Sequence, residues 1–327
     1  KFGLDMLTIT KSLRGYYKNP ESVAHKVLAD RMGERDPGNK PSSNDRIPFA
    51  YIQIKEKGNI KLCMPIILSN KMGFKFCNMP PLTQSLGILF PEQKGNYSKV
   101  LSNNTKNMLE LISKIPKNSF FRQRFHPTIN NWLPFYWNDY NQTTKYTYII
   151  DDLTDTDLIW EGFKTKKHQE IRKAKSKLKI SETQDFEYLK YCIHSSYKRQ
   201  NKKGFNFKKL ERIFNFCNEQ KCGKIFLAKT KTGDIAGSVY IVWDQKSAYY
   251  LAGGGPEALR NSGAIPFLLW HSIKFSSSVT KKFNFEGSMI RPIEYFFRAF
   301  GGKLTPYHEI TKVNSGIINL YQKFSIR

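Results

Sequence analysis

Apolar residues recur with two different periods along this 327-residue chain. Short alternating or continuous apolar runs predict strands at Leu4–Thr10, Pro48–Ile54, Lys61–Leu68, Ser119–His126 and Tyr146–Ile150, and later at Lys224–Lys229, Ile235–Trp243, Ser247–Ala252, Phe283–Glu286 and Leu304–Ile310. Helical spacing is clearest at Asn103–Ile115, where Met108, Leu109, Leu111 and Ile112 form a stripe. Further helices are predicted at Pro20–Met32, Leu158–Lys179, Phe186–Lys198, Phe207–Lys221, Pro266–Ser276 and Ile293–Phe300. The turn formers of 35–46 read as a loop, and the proline-rich aromatic cluster Trp132–Trp137 as no regular element. In the last third, strand, glycine loop, helix, strand, helix and strand follow in turn. That order predicts an α/β fold with a mixed sheet.

Composition narrows the partners. Lys and Arg number 53 against 27 Asp and Glu, a formal charge of +26, which favours anionic partners without choosing among nucleic acid, phosphate-bearing cofactors and lipid headgroups. Hydrophobic residues at 40% and aromatics at 14% suit a folded protein. The five cysteines, Cys63, Cys77, Cys192, Cys217 and Cys222, are scattered and match no zinc spacing, so no metal is expected. Free thiols, no apolar run of membrane-spanning length and no signal-like start lead us to expect a cytoplasmic protein without a transmembrane segment. The chain starts at Lys1, so its true beginning is open.

Two stretches resemble different families. Ile9-Thr10-Lys11-Ser12-Leu13, Tyr17-Lys18-Asn19-Pro20, Asp36-Pro37-Gly38-Asn39-Lys40-Pro41 and Asn44-Asp45-Arg46-Ile47-Pro48 closely resemble the thumb region of family B DNA polymerases. The resemblance implies that residues 1–57 grip the backbone of duplex DNA through basic side chains. Phosphoryl transfer needs carboxylates holding two metal ions. That family carries them ahead of the thumb, where this sequence has nothing, so the segment is not expected to polymerise. Thr154-Asp155-Thr156-Asp157 contains an Asp-Thr-Asp triplet, but after the thumb-like segment. Its acids are read as a helix start.

Residues 60–327 resemble GNAT-fold proteins of the FemAB-like type, in which two acyltransferase modules stand in tandem. The resemblance rests on Met79-Pro80-Pro81-Leu82-Thr83-Gln84, Asn131-Trp132-Leu133-Pro134-Phe135, Ile171-Arg172-Lys173-Ala174, Phe283-Asn284-Phe285-Glu286-Gly287-Ser288 and Phe300-Gly301-Gly302-Lys303. It implies a first module at 58–180, incomplete if the polymerase-like text replaces its start, and a second at 181–327. It also implies acyl transfer to an amine of a cell-envelope or sugar precursor, with acyl-CoA or aminoacyl-tRNA as donor.

Candidate residues follow. A loop entering a helix can hold a pyrophosphate on backbone N–H groups. The stretch from Gly253 and Gly254 to Arg260, Gly263 and Ala264 sits where such a loop belongs, although Ile265 stands where the family pattern has a small residue. Glu286, ending an apolar strand, is the candidate base, with a cap or salt bridge as the alternative. Tyr249 and Tyr250 could donate to an oxyanion or simply pack, and Tyr250 is taken as the catalytic candidate. Arg172 and Lys173, within a basic helix otherwise read as solvated, are the candidates for anion contact. Trp137 and Tyr148 are candidates for substrate contact, with core packing as the alternative. Besides the transferase, two readings stay open: a DNA-binding polymerase fragment carrying a passenger body, and a junction produced by faulty gene assembly. The genomic sequence across residues 50–65 separates the last from the others.

Overall fold

A computed structural model describes residues 49–80, 82–91, 93, 95–200, 205–287 and 289–325. The strand expected at Leu4–Thr10, the helix expected at Pro20–Met32 and the thumb-like segment up to residue 48 lie outside the described residues. The described chain forms two compact units. A split unit combines residues 49–145 with 306–325, and a continuous unit comprises 146–305. Each has its own hydrophobic core.

In the split unit, β1 (Phe49–Glu56), β2 (Asn59–Lys71) and β3 (Phe74–Asn78) form an antiparallel meander. Helix α1 (Tyr97–Ser113) then leads to β4 (Phe120–Arg124), which runs parallel to β3. Asn96 starts α1 by accepting the Ser98 N–H at 2.8 Å, and Met108, Leu111 and Ile112 bury its apolar stripe. The last partner of β4 comes from far along the chain: residues 309–313 of β11 (Lys303–Val313) pair with it antiparallel. The aromatic cluster holds a four-residue helix, α2 (Leu133–Tyr136), which tolerates Pro134 because a proline in a first turn removes no helical hydrogen bond.

The continuous unit begins within β5 (Asn141–Ile150). Then follow α3 (Thr156–Glu161), α4 (Thr165–Lys177), β6 (Leu178–Thr183), α5 (Phe186–Arg199) and α6 (Phe207–Glu219). The antiparallel strands β7 (Gly223–Thr230), β8 (Ile235–Trp243) and β9 (Ser247–Gly254) come next. Helix α7 (Ala264–Ser276) leads to β10 (Lys282–Asn284), and α8 (Arg291–Arg298) follows. Strand order is β5-β10-β9-β8-β7-β6. Only β10 and β9 run parallel here, while β10 pairs antiparallel with β5. Ile225–Ala228 and Ala236–Val242 are buried throughout, as a strand covered on both faces must be.

Two expectations differ from the structure. The helix expected over Leu158–Lys179 breaks after Glu161, where Gly162 caps α3 and Phe163 turns into the core, and it gives way to β6 at Leu178. A module boundary at 180/181 would cut β6, which pairs with β7 from Leu178↔Thr230 to Thr183↔Ile225. The compact units divide instead inside β5 and β11. Asp155, by contrast, caps α3 as expected, accepting the N–H groups of Asp157 and Leu158 at 3.0 Å each.

Candidate functional site

In the continuous unit, polar residues gather where β10 ends. Asn284 is paired with Ile149 of β5 on one side and Tyr249 of β9 on the other. Paired residues in a sheet point to the same face, so Asn284 and Tyr249 share one face while Tyr250 falls on the other. Asn284 is buried, and its Oδ1 accepts twice, from Thr147 Oγ1 at 2.6 Å and from the Glu286 N–H at 2.8 Å. Glu286 is half-buried with φ at +62°, in the left-handed region that a glutamate rarely occupies. Such a conformation costs about 1–3 kcal/mol and persists only where surroundings impose it.

Tyr249 is buried and donates from its hydroxyl to Asp244 Oδ2 at 3.3 Å. Burial, then the negative charges of Asp244 and Glu286, raise its proton affinity far above a normal phenol. It therefore stays neutral and able to donate, within electrostatic reach of Glu286. Asp244 caps the β8–β9 turn, accepting the N–H groups of Lys246 at 2.6 Å and Ser247 at 2.8 Å. Burial pushes its carboxyl up to about 6, against those hydrogen bonds.

The other expected residues are distributed as follows. Tyr250 packs edge-on against Phe297, 5.9 Å between ring centres, and burial raises its proton affinity. Its hydroxyl stands where a side chain on Gly253 would begin, and Gly254 lies under Cys192 and Ser196 of α5, so neither position has room for a side chain. Gly263, with φ +76°, is the N-cap of α7 and supplies no side-chain cap. A β-carbon there would come within 2.8 Å of the Glu170 carbonyl. The Ala264 N–H leans on Ser262 Oγ at 3.3 Å, and Arg260 is exposed beside this helix start. With a glycine as N-cap, most of this helix start is left without a side-chain acceptor, which suits it to an anion.

Tyr148 is buried on the face opposite Thr147 and donates to the Glu294 carboxylate, which also meets Arg298 Nε at 3.2 Å. Burial and that carboxylate push the Tyr148 phenol up to about 12. Arg172 and Lys173 are exposed on α4, with the Arg172 guanidinium 5.9 Å from the Trp160 ring. The inward lysine of α4 is Lys167, whose amine pairs with Glu170 at 2.6 Å and lies 4.6 Å from the Phe296 ring. Trp137 is exposed in the split unit. The structure thus groups Glu286 with Tyr249, Asn284 and Asp244, and leaves Tyr250 and Tyr148 on the opposite face. Among the described residues, no cluster of three or more His, Cys, Asp or Glu could hold a metal ion, and no helix is long and apolar enough to cross a membrane.

Solved structures of the same architecture exist. FemX superposes with a TM-score of 0.60 over 80% of this chain and 88% of its own, at 12% identity. The fold is that of FemX. The C-terminal domain (DUF2156) of a putative lysylphosphatidylglycerol synthetase from Agrobacterium fabrum gives 0.51 over 80% of this chain and 84% of its own, also at 12% identity. A tandem GNAT protein from the clavulanic acid biosynthesis pathway gives 0.50 over 90% and 95%, at 10% identity. At such identities the likeness is one of fold, and it makes this chain a FemX-like, tandem-GNAT architecture. No family model matches the sequence. A separate, short likeness joins it to viral DNA polymerases: 56% identity over 61 residues with that of Acanthamoeba polyphaga mimivirus, and 59% over 59 residues with that of Pyramimonas orientalis virus. These matches take up 19% and 17% of this chain but span only 3% and 5% of the two polymerases.

Proposed function

We propose that the chain is an acyl- or aminoacyltransferase that moves an activated acyl group onto an amine of a cell-envelope or sugar precursor. The observation that carries the reading is the FemX fold over 80% of the chain. Glu286, at a strained backbone position within electrostatic reach of the neutral Tyr249 phenol, gives that fold its chemistry. The acceptor amine attacks the donor carbonyl, a C–N bond forms, and the Glu286 carboxylate takes the amine proton. Tyr249 turns its one hydroxyl proton from Asp244 to the developing oxyanion, which collapses to expel the thiolate of coenzyme A, or a ribose oxygen of tRNA that takes up the proton held by Glu286. Arg260 and the helix start at Gly263 and Ala264 receive the donor's phosphates, reached past Gly253 and Gly254, and Arg172 and Lys173 add anion contacts. Tyr250 is the alternative oxyanion donor, from the other face of the sheet, and Tyr148 and Trp137 are assigned to substrate contact.

Calorimetry with acyl-CoA and with aminoacyl-tRNA should detect binding of one of them. Glu286→Gln should then lower kcat about 10²–10⁴-fold, the range of general-base effects, without changing the melting temperature. Binding of neither donor, or full turnover by Glu286→Gln, refutes the reading.

A second reading concerns the front. The 56% and 59% identities to viral DNA polymerases favour duplex binding through residues 1–57. Such binding should weaken steeply with salt and disappear when residues 1–57 are deleted. Binding that survives the deletion excludes it.

A further inference from the structure

We infer that Asn284 is the positioning residue for Glu286. This rests on the transferase reading above and adds a residue to it. Asn284 has the equipment for the task. It ends β10, is hydrogen-bonded into the sheet between Ile149 and Tyr249, and is 6% exposed. Its single carbonyl oxygen takes the Thr147 hydroxyl at 2.6 Å and the Glu286 N–H at 2.8 Å. The second bond closes an Asx turn, a local loop that turns the chain within two residues. The first bond anchors that turn to β5, 137 residues away in sequence.

The backbone bends there and nowhere earlier. Phe285 still donates to the Tyr148 carbonyl at 3.0 Å, while Glu286 has φ +62° and Gly287 φ +39°. The Asx bond favours the left-handed conformation at Glu286, and without it the chain would relax toward an extended form. The carboxylate would then lose the position that the turn sets. Asn284 touches no reacting atom in this scheme. It acts only by fixing where Glu286 stands.

Three variants of the full chain test this. Asn284→Ala removes both acceptor bonds and should lower kcat about 10–100-fold with KM nearly unchanged, as misplacing a catalytic group does. Asn284→Asp keeps the acceptor oxygen. It should restore much of kcat, while its added negative charge moves the acidic limb of the pH–rate profile upward. Thr147→Val removes only the anchor and should fall between the two. Wild-type kcat and an unshifted profile in Asn284→Ala overturn the inference, as does failure of Asn284→Asp to recover activity above Asn284→Ala. Amide hydrogen exchange keeps the inference separate from the transferase reading. If the wild type turns over no donor, faster exchange at Glu286 in Asn284→Ala still supports the clamp, and unchanged exchange at Glu286 refutes it.

Discussion

The two units repeat one topological idea and use it differently. Each has an antiparallel meander, a helix that leads to a parallel neighbour, and a final antiparallel strand drawn from distant sequence: β11 beside β4, and β5 beside β10. Among the described residues, the split unit has three strands ahead of its parallel step and the continuous unit has four. At the strand after that step, the split unit ties its polar side chains into structure. Gln123 accepts the Gly87 N–H at 3.3 Å and donates to the Pro65 carbonyl at 3.1 Å. Arg124 meets Glu309 at 2.5 Å, with Lys145 at 3.6 Å. Burial would raise Glu309, but the Arg124 hydrogen bond and the charges of Arg124, Lys145 and Arg122 outweigh it and hold the carboxyl below its usual range. In the continuous unit the corresponding strand end carries a strained glutamate and, nearby, a carboxyl pushed upward. One fold pattern can therefore spend its polar residues on stability or hold them under electrostatic stress. The second use marks the candidate site.

The sharpest way to break this comparison is to neutralise the carboxylate on the stabilising side. Glu309→Gln leaves Arg124 and Lys145 without their anion in a partly buried place, and should cost about 1–2 kcal/mol of stability. The sign in pH follows from the lowered native value. Glu309 contributes its stability above the ordinary carboxylate range and loses it as pH falls through the native value. Denaturant unfolding of the wild type between pH 3 and 6 should show that loss, and Glu309→Gln should abolish it. Turnover per folded molecule should not change. If Glu309→Gln costs turnover and no stability, the two units have been assigned the wrong roles.

Much of this fold was legible because its central strands are long. Ile225–Ala228 and Ile235–Trp243 are runs that only a doubly covered strand explains, and α7 is apolar almost all round. β3 was missed because five residues with Lys75 and Asn78 among them become a strand only by pairing with β2. Glu286 could be picked out as an acid closing an apolar strand. Asn284 could not, since its value depends on Thr147 and on a register that sequence does not reveal. The sequence offers no choice between Tyr249 and Tyr250 for the same reason. Strand alternation puts them on opposite faces, but which face holds the polar cluster is set only by the pairing Asn284↔Tyr249. Asp244 was not singled out, since both its turn-capping bonds and its burial show only in the structure.

The next effect is of opposite sign to that of Glu309. Asp244 holds its proton more tightly when folded, so folding favours the protonated form. Stability should fall as pH rises from about 4 to about 6 and level off above that. At most about 3 kcal/mol is at stake, from a shift of roughly two units. Asp244→Asn keeps an acceptor for the turn and removes the titration, so its pH 4–6 slope should flatten. An unchanged slope would place the titrating group elsewhere.

The smallest effect tests whether Tyr249 belongs to the same cluster. Its hydroxyl lowers the proton affinity of Asp244 by donating to Oδ2 across 3.3 Å, a long and weak bond. Tyr249→Phe removes that donor and keeps the ring, so unfolding free energy should change by about 0.5–1 kcal/mol. The informative quantity is the position of the pH step. With the donor gone, ionised Asp244 is less well supported, and the step should move above about 6, whereas in Tyr250→Phe it should stay in place because Tyr250 lies on the other face against Phe297. Denaturant midpoints measured every half unit from pH 4 to 8 would resolve the two. A shift in Tyr250→Phe with none in Tyr249→Phe would reverse the face assignment and, with it, the choice of Tyr249 as the donor beside Glu286.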